Sequence, residues 1–104
     1  MKTITEGKIK KYFSITEQAF EKAKSAPIKE LKNQNSDPDL KRTRDDFLDT
    51  VNRYIRDAKY FEEQGKIVEA FAALNYAHGW LDAGAKLGLW IVDDGRLFAG
   101  VDKE

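Results

Sequence analysis

Three polar residues lie on one stripe of a helix-length apolar segment and are the side chains best placed to do chemistry. Asn75, His78 and Asp82 follow one another at intervals of three and four residues, so a helix would align them on one side. His78 is the only histidine of the chain. A carboxylate and an amide can orient a histidine ring, so this stripe predicts either a small-ligand pocket or buried polar groups that satisfy one another.

The sequence lacks the usual signatures of catalysis and of metal binding. It contains no cysteine, which excludes disulfides, thiol chemistry and cysteine-ligated zinc. It also contains no nucleophile elbow, Walker loop or dinucleotide-binding glycine motif. To hold a metal ion, His78 and Asp82 would need a further ligand such as Asp57 or Glu69. We therefore expect no catalytic residues, no metal and no cofactor, and we favour a protein that is not an enzyme.

The segment that carries the polar stripe, residues 70–88, is apolar or small on nearly every side. Ala70, Ala73, Ala77 and Gly84 recur at helical spacing and would let a neighbouring helix approach closely. A helix without a wide polar face is normally buried. We therefore expect this helix to be enclosed on most of its sides.

The spacing of apolar residues predicts an all-α fold, an antiparallel three-helix bundle. The sequence from Thr3 to Glu6 fits a capping box, Pro38 fits a first helical turn, and Gly65 fits the turn of a helix hairpin. We expect a single domain over residues 1–104. Its parts are helices at about 3–25, 38–64 and 66–88, a connector at 26–37 and a C-terminal tail at 89–104.

The tail and the two tryptophans suggest an assembly of two chains. Two β-prone runs flank Asp94 and Gly95, which fits either a small hairpin or an apolar strap laid over the bundle. Three helices of this length leave an apolar face of the bundle exposed, and a second copy of the chain is the simplest way to bury it together with the tryptophans. The alternative is that both tryptophans fill the core of a single chain. We expect a homodimer. The candidate interface residues are Trp80, Gly84, Trp90 and Phe98.

Charge and hydropathy give little support for nucleic-acid or membrane partners. The 18 Lys and Arg residues balance the 18 Asp and Glu residues. One basic cluster, Lys8, Lys10 and Lys11, precedes two aromatic residues that would suit RNA binding, although helical spacing favours the core for them. A second cluster, at residues 41–44, fits a solvated helix surface. The N-terminus lacks the apolar core of a signal peptide, so we expect a cytoplasmic protein without membrane association.

Roughly the last two thirds of the sequence resembles the family known as domain of unknown function 357. The resemblance rests on residues 57–61, on Gly65 and above all on the run from Ala70 to Gly84. It implies a compact helical fold and an archaeal origin, and it implies no activity and no functional residues.

These observations favour a non-enzymatic protein-interaction or assembly module whose partner, beyond a second copy, is unknown. The first alternative is a small-ligand or nucleotide-binding protein with a pocket near Asn75, His78 and Asp82. The second alternative is an accessory RNA-binding protein that uses the basic surface of the first helix.

Overall fold

The computed structural model describes residues 4–29 and 38–99, which form three helices followed by a segment without regular structure. The helices are α1 (Glu6–Ser25), α2 (Pro38–Glu63) and α3 (Ile67–Leu87). Helices α2 and α3 pack most closely against each other. The predicted all-α three-helix bundle is confirmed. Thr3, most of the predicted connector and the end of the tail from residue 100 lie outside the described residues.

Helix α1 begins later than the sequence suggested. Its N-cap is Thr5, whose Oγ1 accepts a hydrogen bond of 3.1 Å from the backbone N–H of Lys8. The third residue after this cap is a lysine, so the reciprocal glutamate bond of a full capping box is absent at Thr5. The helix ends at Ser25, two residues before Pro27, which cannot continue it.

Two glycines with positive φ end the other two helices. Gly65 has φ of 74°, and the N–H of Lys66 donates back to the carbonyl of Phe61 over 2.8 Å. Gly88 has φ of 79°, and the N–H of Leu89 donates back to Gly84 over 2.9 Å. Both ends are Schellman motifs, which need the left-handed conformation that glycine adopts without strain. The first motif turns the chain into the α2–α3 hairpin, and the second directs the tail back onto the bundle.

The core consists of two apolar clusters, one near each end of the bundle. The cluster beside the α2–α3 turn contains Ile9, Phe13, Ala58, Ala70, Ala73 and Leu74. The other cluster contains residues of all three helices and of the tail: Ala19, Ala23, Val51, Ile55, Ala77, Leu81, Leu89, Trp90, Leu97 and Phe98. The tail therefore supplies a large part of the second cluster.

One side of α3 is exposed, which differs from the expected enclosure. Val68, Tyr76 and Leu87 expose 69%, 63% and 50% of their surface. Helices α1 and α2 cover the opposite side, where Ala70, Ala77 and Leu81 are buried. We call the exposed side the outer face of α3; it consists of Val68, Glu69, Ala72, Asn75, Tyr76, Gly79, Ala83, Lys86 and Leu87. No helix in the described part of the chain has both the length and the apolar character needed to cross a membrane.

Candidate functional site

The polar stripe of α3 separates into a pair and a single residue. His78 and Asp82 are half-buried neighbours, with Nε2 and Oδ1 3.6 Å apart. This distance is longer than that of a hydrogen bond. The same Oδ1 accepts a hydrogen bond of 2.9 Å from the backbone N–H of Ala99. The Asp82 carboxylate therefore holds the tail on α3, and His78 lies beside that attachment.

Asn75 belongs to a different surface. It is exposed and lines a cavity of about 300 Å³ on the side of α3 that faces the start of α2. The other lining residues are Phe47, Tyr76, Gly79, Trp80 and Ala83, so the cavity is mostly apolar. The three residues of the stripe thus share a helix, but His78 and Asp82 do not line the cavity that Asn75 lines.

In the described part of the chain, the acidic residues and His78 do not gather into a metal site. Within residues 4–29 and 38–99, no group of three or more His, Asp or Glu side chains is placed to hold a metal ion. Asp57 and Glu69, the candidates for an additional ligand, are both exposed side chains.

The tail forms a strap rather than a hairpin, because residues 89–99 contain no strand. The indole Nε1 of Trp90 donates a hydrogen bond of 2.9 Å to the carbonyl of Leu81. Its ring lies directly over Gly84, where a Cβ atom would overlap it. Two backbone bonds tie the strap to the segment after α1, from Lys29 N–H to Gly88 and from Ile91 N–H to Pro27, at 2.9 and 2.8 Å.

Asp94 fastens the middle of the strap to α1. Its carboxylate lies 3.4 Å from Nζ of Lys22 and accepts a hydrogen bond of 3.0 Å from the backbone N–H of Arg96. Partial burial raises the pKa of Asp94, but the Arg96 N–H and the nearby Lys22 and Arg96 charges outweigh burial and hold the pKa below its ordinary value. The carboxylate is therefore ionised where it meets α1.

The four predicted interface residues fall into two groups. Gly84, Trp90 and Phe98 are buried in the core of the single chain, where the strap meets α3. Trp80 is half-buried, and its ring meets Phe47 edge to face with centroids 4.7 Å apart. Trp80 also lines a cavity at the surface.

Arg44 is a key residue that the sequence did not single out. Its guanidinium donates hydrogen bonds to four backbone carbonyls, at distances from 2.7 to 3.1 Å. The acceptors are Ala23, Lys24, Ala26 and Leu89. Arg44 therefore joins the C-terminal end of α1 to α2 and to the strap. The basic cluster at 41–44 gave no sign of this role, because the acceptors are distant in sequence.

The first basic cluster does not present its aromatic neighbours for base stacking. Lys8, Lys10 and Lys11 are exposed, as expected for a solvated helix. Phe13 is buried, and Tyr12 packs edge to face on Phe71 with centroids 4.7 Å apart. The packing of both rings lowers the support for RNA binding on this surface.

The fold and the surface together define a small all-α bundle that is closed by a C-terminal strap and leaves an apolar face of α3 uncovered. The chain belongs to the family described as "Protein of unknown function (DUF357)", whose model matches residues 11–90. The predicted family is therefore confirmed, and the match extends from α1 to Trp90 of the strap. No curated protein and no solved structure matches the chain.

Proposed function

We propose that the protein is a non-enzymatic interaction module whose contact surface is the outer face of α3. The observation that carries this proposal is the exposure of large apolar side chains along a single helix side, with Val68 and Tyr76 each more than 60% exposed. Isolated apolar residues are common on protein surfaces, whereas a continuous apolar face is typical of a binding surface.

The distribution of charge along the outer face supports the same proposal. Charged residues occur at its two ends only, Glu69 and Lys86, with Ala72, Asn75, Tyr76, Gly79 and Ala83 between them. A helix side that remains in water normally carries charged and polar residues along its whole length. Burying the middle of this face against a partner removes few polar groups from water, so the cost of desolvation is small.

A homodimer is the assembly we expect through this face. The mass of this dimer in solution would be twice the chain mass of 11.9 kDa. Sedimentation velocity over a dilution series measures the mass of the particle at each protein concentration. Tyr76→Glu would place a charge in the contact and shift the protein toward monomer. The matched control is Ile91→Glu, because Ile91 is also about half exposed, at 51%, but lies on the strap.

The outcome of sedimentation decides the proposal in either direction. A concentration-dependent dimer that Tyr76→Glu dissociates and Ile91→Glu preserves supports it. A wild-type protein that stays monomeric up to millimolar concentration contradicts the homodimer, and a dimer that both variants weaken equally contradicts the choice of surface.

A second candidate function, binding of a small ligand, is favoured by the cavity beside α3. The amide of Asn75 is a polar group at the edge of an apolar lining that includes Trp80, which is the usual composition of a small-molecule site. Titration with adenosine, followed by tryptophan fluorescence and by the amide resonances of Asn75, tests this candidate. Saturable changes that Asn75→Ala abolishes would support it, and unchanged spectra would argue against nucleoside binding.

A further inference from the structure

The outer face of α3 has a two-fold pattern centred between Ala77 and His78. Eight of its nine residues form pairs equidistant from this point, and the members of each pair suit one another; the ninth residue, Asn75, has the half-buried Trp80 as its counterpart. The pairs are Val68 with Leu87, Glu69 with Lys86, Ala72 with Ala83, and Tyr76 with Gly79. They join apolar with apolar, negative with positive, small with small, and the largest side chain with the smallest.

We propose that two copies of the chain pair through α3 in antiparallel orientation about this point. In such a pair, residues equidistant from the two-fold axis lie at the same level of the two helices, so each residue meets its counterpart. A parallel pair in register would instead bring Glu69 against Glu69 and Tyr76 against Tyr76. The inference rests on the proposed interaction surface and names its occupant as the same surface of a second copy.

The cavity on α3 supplies a place for the largest side chain of this pair. Tyr76, Gly79, Trp80 and Ala83 are spaced as the four residues that form a hole in knobs-into-holes packing. In the antiparallel pair, Tyr76 of the second copy reaches the level of Gly79, in the middle of this hole. A cavity of about 300 Å³ accommodates a phenol ring.

The backbone of α3 is open to close approach at the same place. A Cβ atom added at Gly79 would meet nothing within 4 Å. Small residues at the contact favour the lower end of the usual 8–10 Å separation between packed helices. Tyr76 is held in position within its own chain, because its ring stacks on Tyr54 with centroids 5.4 Å apart.

The two charged ends of the outer face select the antiparallel orientation. Glu69 and Lys86 are both exposed, and neither forms an ion pair with another side chain in residues 4–29 and 38–99. Antiparallel pairing brings each Glu69 to the Lys86 of the second copy, which gives two symmetric ion pairs. Such complementarity fixes orientation and register more than it adds affinity.

Charge reversal tests the orientation. Glu69→Lys and Lys86→Glu would each place like charges at both ends of the contact and raise the dimer Kd by roughly threefold to tenfold. The double variant restores opposite charges and returns the Kd to near the wild-type value. Asp57→Lys is the matched control, because Asp57 is an exposed acidic residue of α2 away from this face, and its reversal leaves the Kd unchanged.

Engineered disulfides test the register, and the absence of native cysteine makes the readout clean. An oxidised mixture of Ala72→Cys and Ala83→Cys forms a disulfide between the two variants, because these positions are counterparts within disulfide reach. Each variant alone stays uncrosslinked in the antiparallel register. A parallel pair would crosslink Ala72→Cys to itself.

The outcomes separate this inference from the proposed function. Recovery in the charge-reversed double variant together with the mixed disulfide supports the antiparallel pair. If the wild type is a dimer, but charge reversal has no effect and the mixed disulfide does not form, the register is wrong while the interaction surface still stands. A monomeric wild type overturns both this inference and the homodimer expected through the outer face.

Discussion

At the scale of single residues, Arg44 contributes most to holding the parts of the chain together. The last carbonyls of a helix have no partners within the helix, and a buried carbonyl without a donor is costly. The planar guanidinium of Arg44 supplies donors to three carbonyls at the end of α1 and to one in the strap. One side chain therefore caps a helix and attaches the tail.

Arg44→Ala removes these donors and lowers the free energy of unfolding by about 2–4 kcal/mol, since several partly buried carbonyls lose their partner at once. Arg44→Lys recovers less than half of this loss, because an ammonium cannot reproduce the fork of the guanidinium. Arg42→Ala is the control: Arg42 is exposed and paired with Asp39, so its loss costs under about 0.5 kcal/mol. Urea unfolding measures the free energy of unfolding of all three variants. Equal losses of stability in Arg44→Ala and Arg42→Ala would contradict the role of Arg44.

Thr16 is the opposite case, a buried polar residue that stabilises little. Its hydroxyl is fully buried and has no hydrogen-bond partner among the described residues. Thr16→Val keeps the shape and removes the unsatisfied hydroxyl, so we expect a gain of about 1 kcal/mol in stability. Thr50→Val is the control, because Oγ1 of Thr50 donates to Asp46 over 2.9 Å and its removal gives no gain. Thermal unfolding compares the stability of the two variants. A loss of stability in Thr16→Val as large as that in Thr50→Val would show that the Thr16 hydroxyl has a hydrogen-bond partner.

Sequence spacing predicted the neighbourhood of His78 and Asp82, because residues four apart meet on any helix. It did not predict that Asp82 accepts from Ala99, or that Arg44 binds four carbonyls. Those partners are 17 or more residues away, at the C-terminal end of α1 and in the strap. Contacts of this kind depend on how the helices and the strap pack together, which local periodicity does not encode.

At the scale of elements, the strap shows how a fold can resolve an ambiguous sequence. Residues 89–99 fitted a hairpin and an apolar strap equally well. The strap forms because α3 offers two complementary features, the carbonyl of Leu81 for the indole N–H and the bare backbone of Gly84 for the ring of Trp90. Helix number and the Gly65 turn were predictable from the sequence, because capping and turn residues act locally.

Gly84→Ala tests the fit between α3 and the strap. The added methyl overlaps the Trp90 ring, which has to move from its buried site, so we expect a loss of about 2–3 kcal/mol and a red shift of tryptophan emission. Gly7→Ala is the control, since a Cβ atom at Gly7 meets nothing within 4 Å. A Gly84→Ala protein with wild-type stability and emission would contradict the close contact with Trp90.

At the scale of the whole molecule, the main feature is a bundle in which two helices and a strap cover only one side of α3. The absence of a wide polar face on α3 was clear from the sequence and predicted burial. The sequence did not reveal which side of α3 the rest of the chain would cover, because small residues occur on all sides of the helix. Ala70, Ala73 and Ala77 face inward, whereas Ala72 and Ala83 face outward. The two-fold pattern of the outer face became visible once the buried side was known.

The amide chemical shifts of a ¹⁵N-labelled sample, followed through a dilution series, test the contact between copies most directly. We predict concentration-dependent shifts that are largest at Ala72, Tyr76, Gly79 and Ala83 and that follow the same dissociation curve as the sedimentation data. Shifts concentrated in the strap or in α1, or no change across the series, would contradict the assignment of the outer face of α3 as the contact surface.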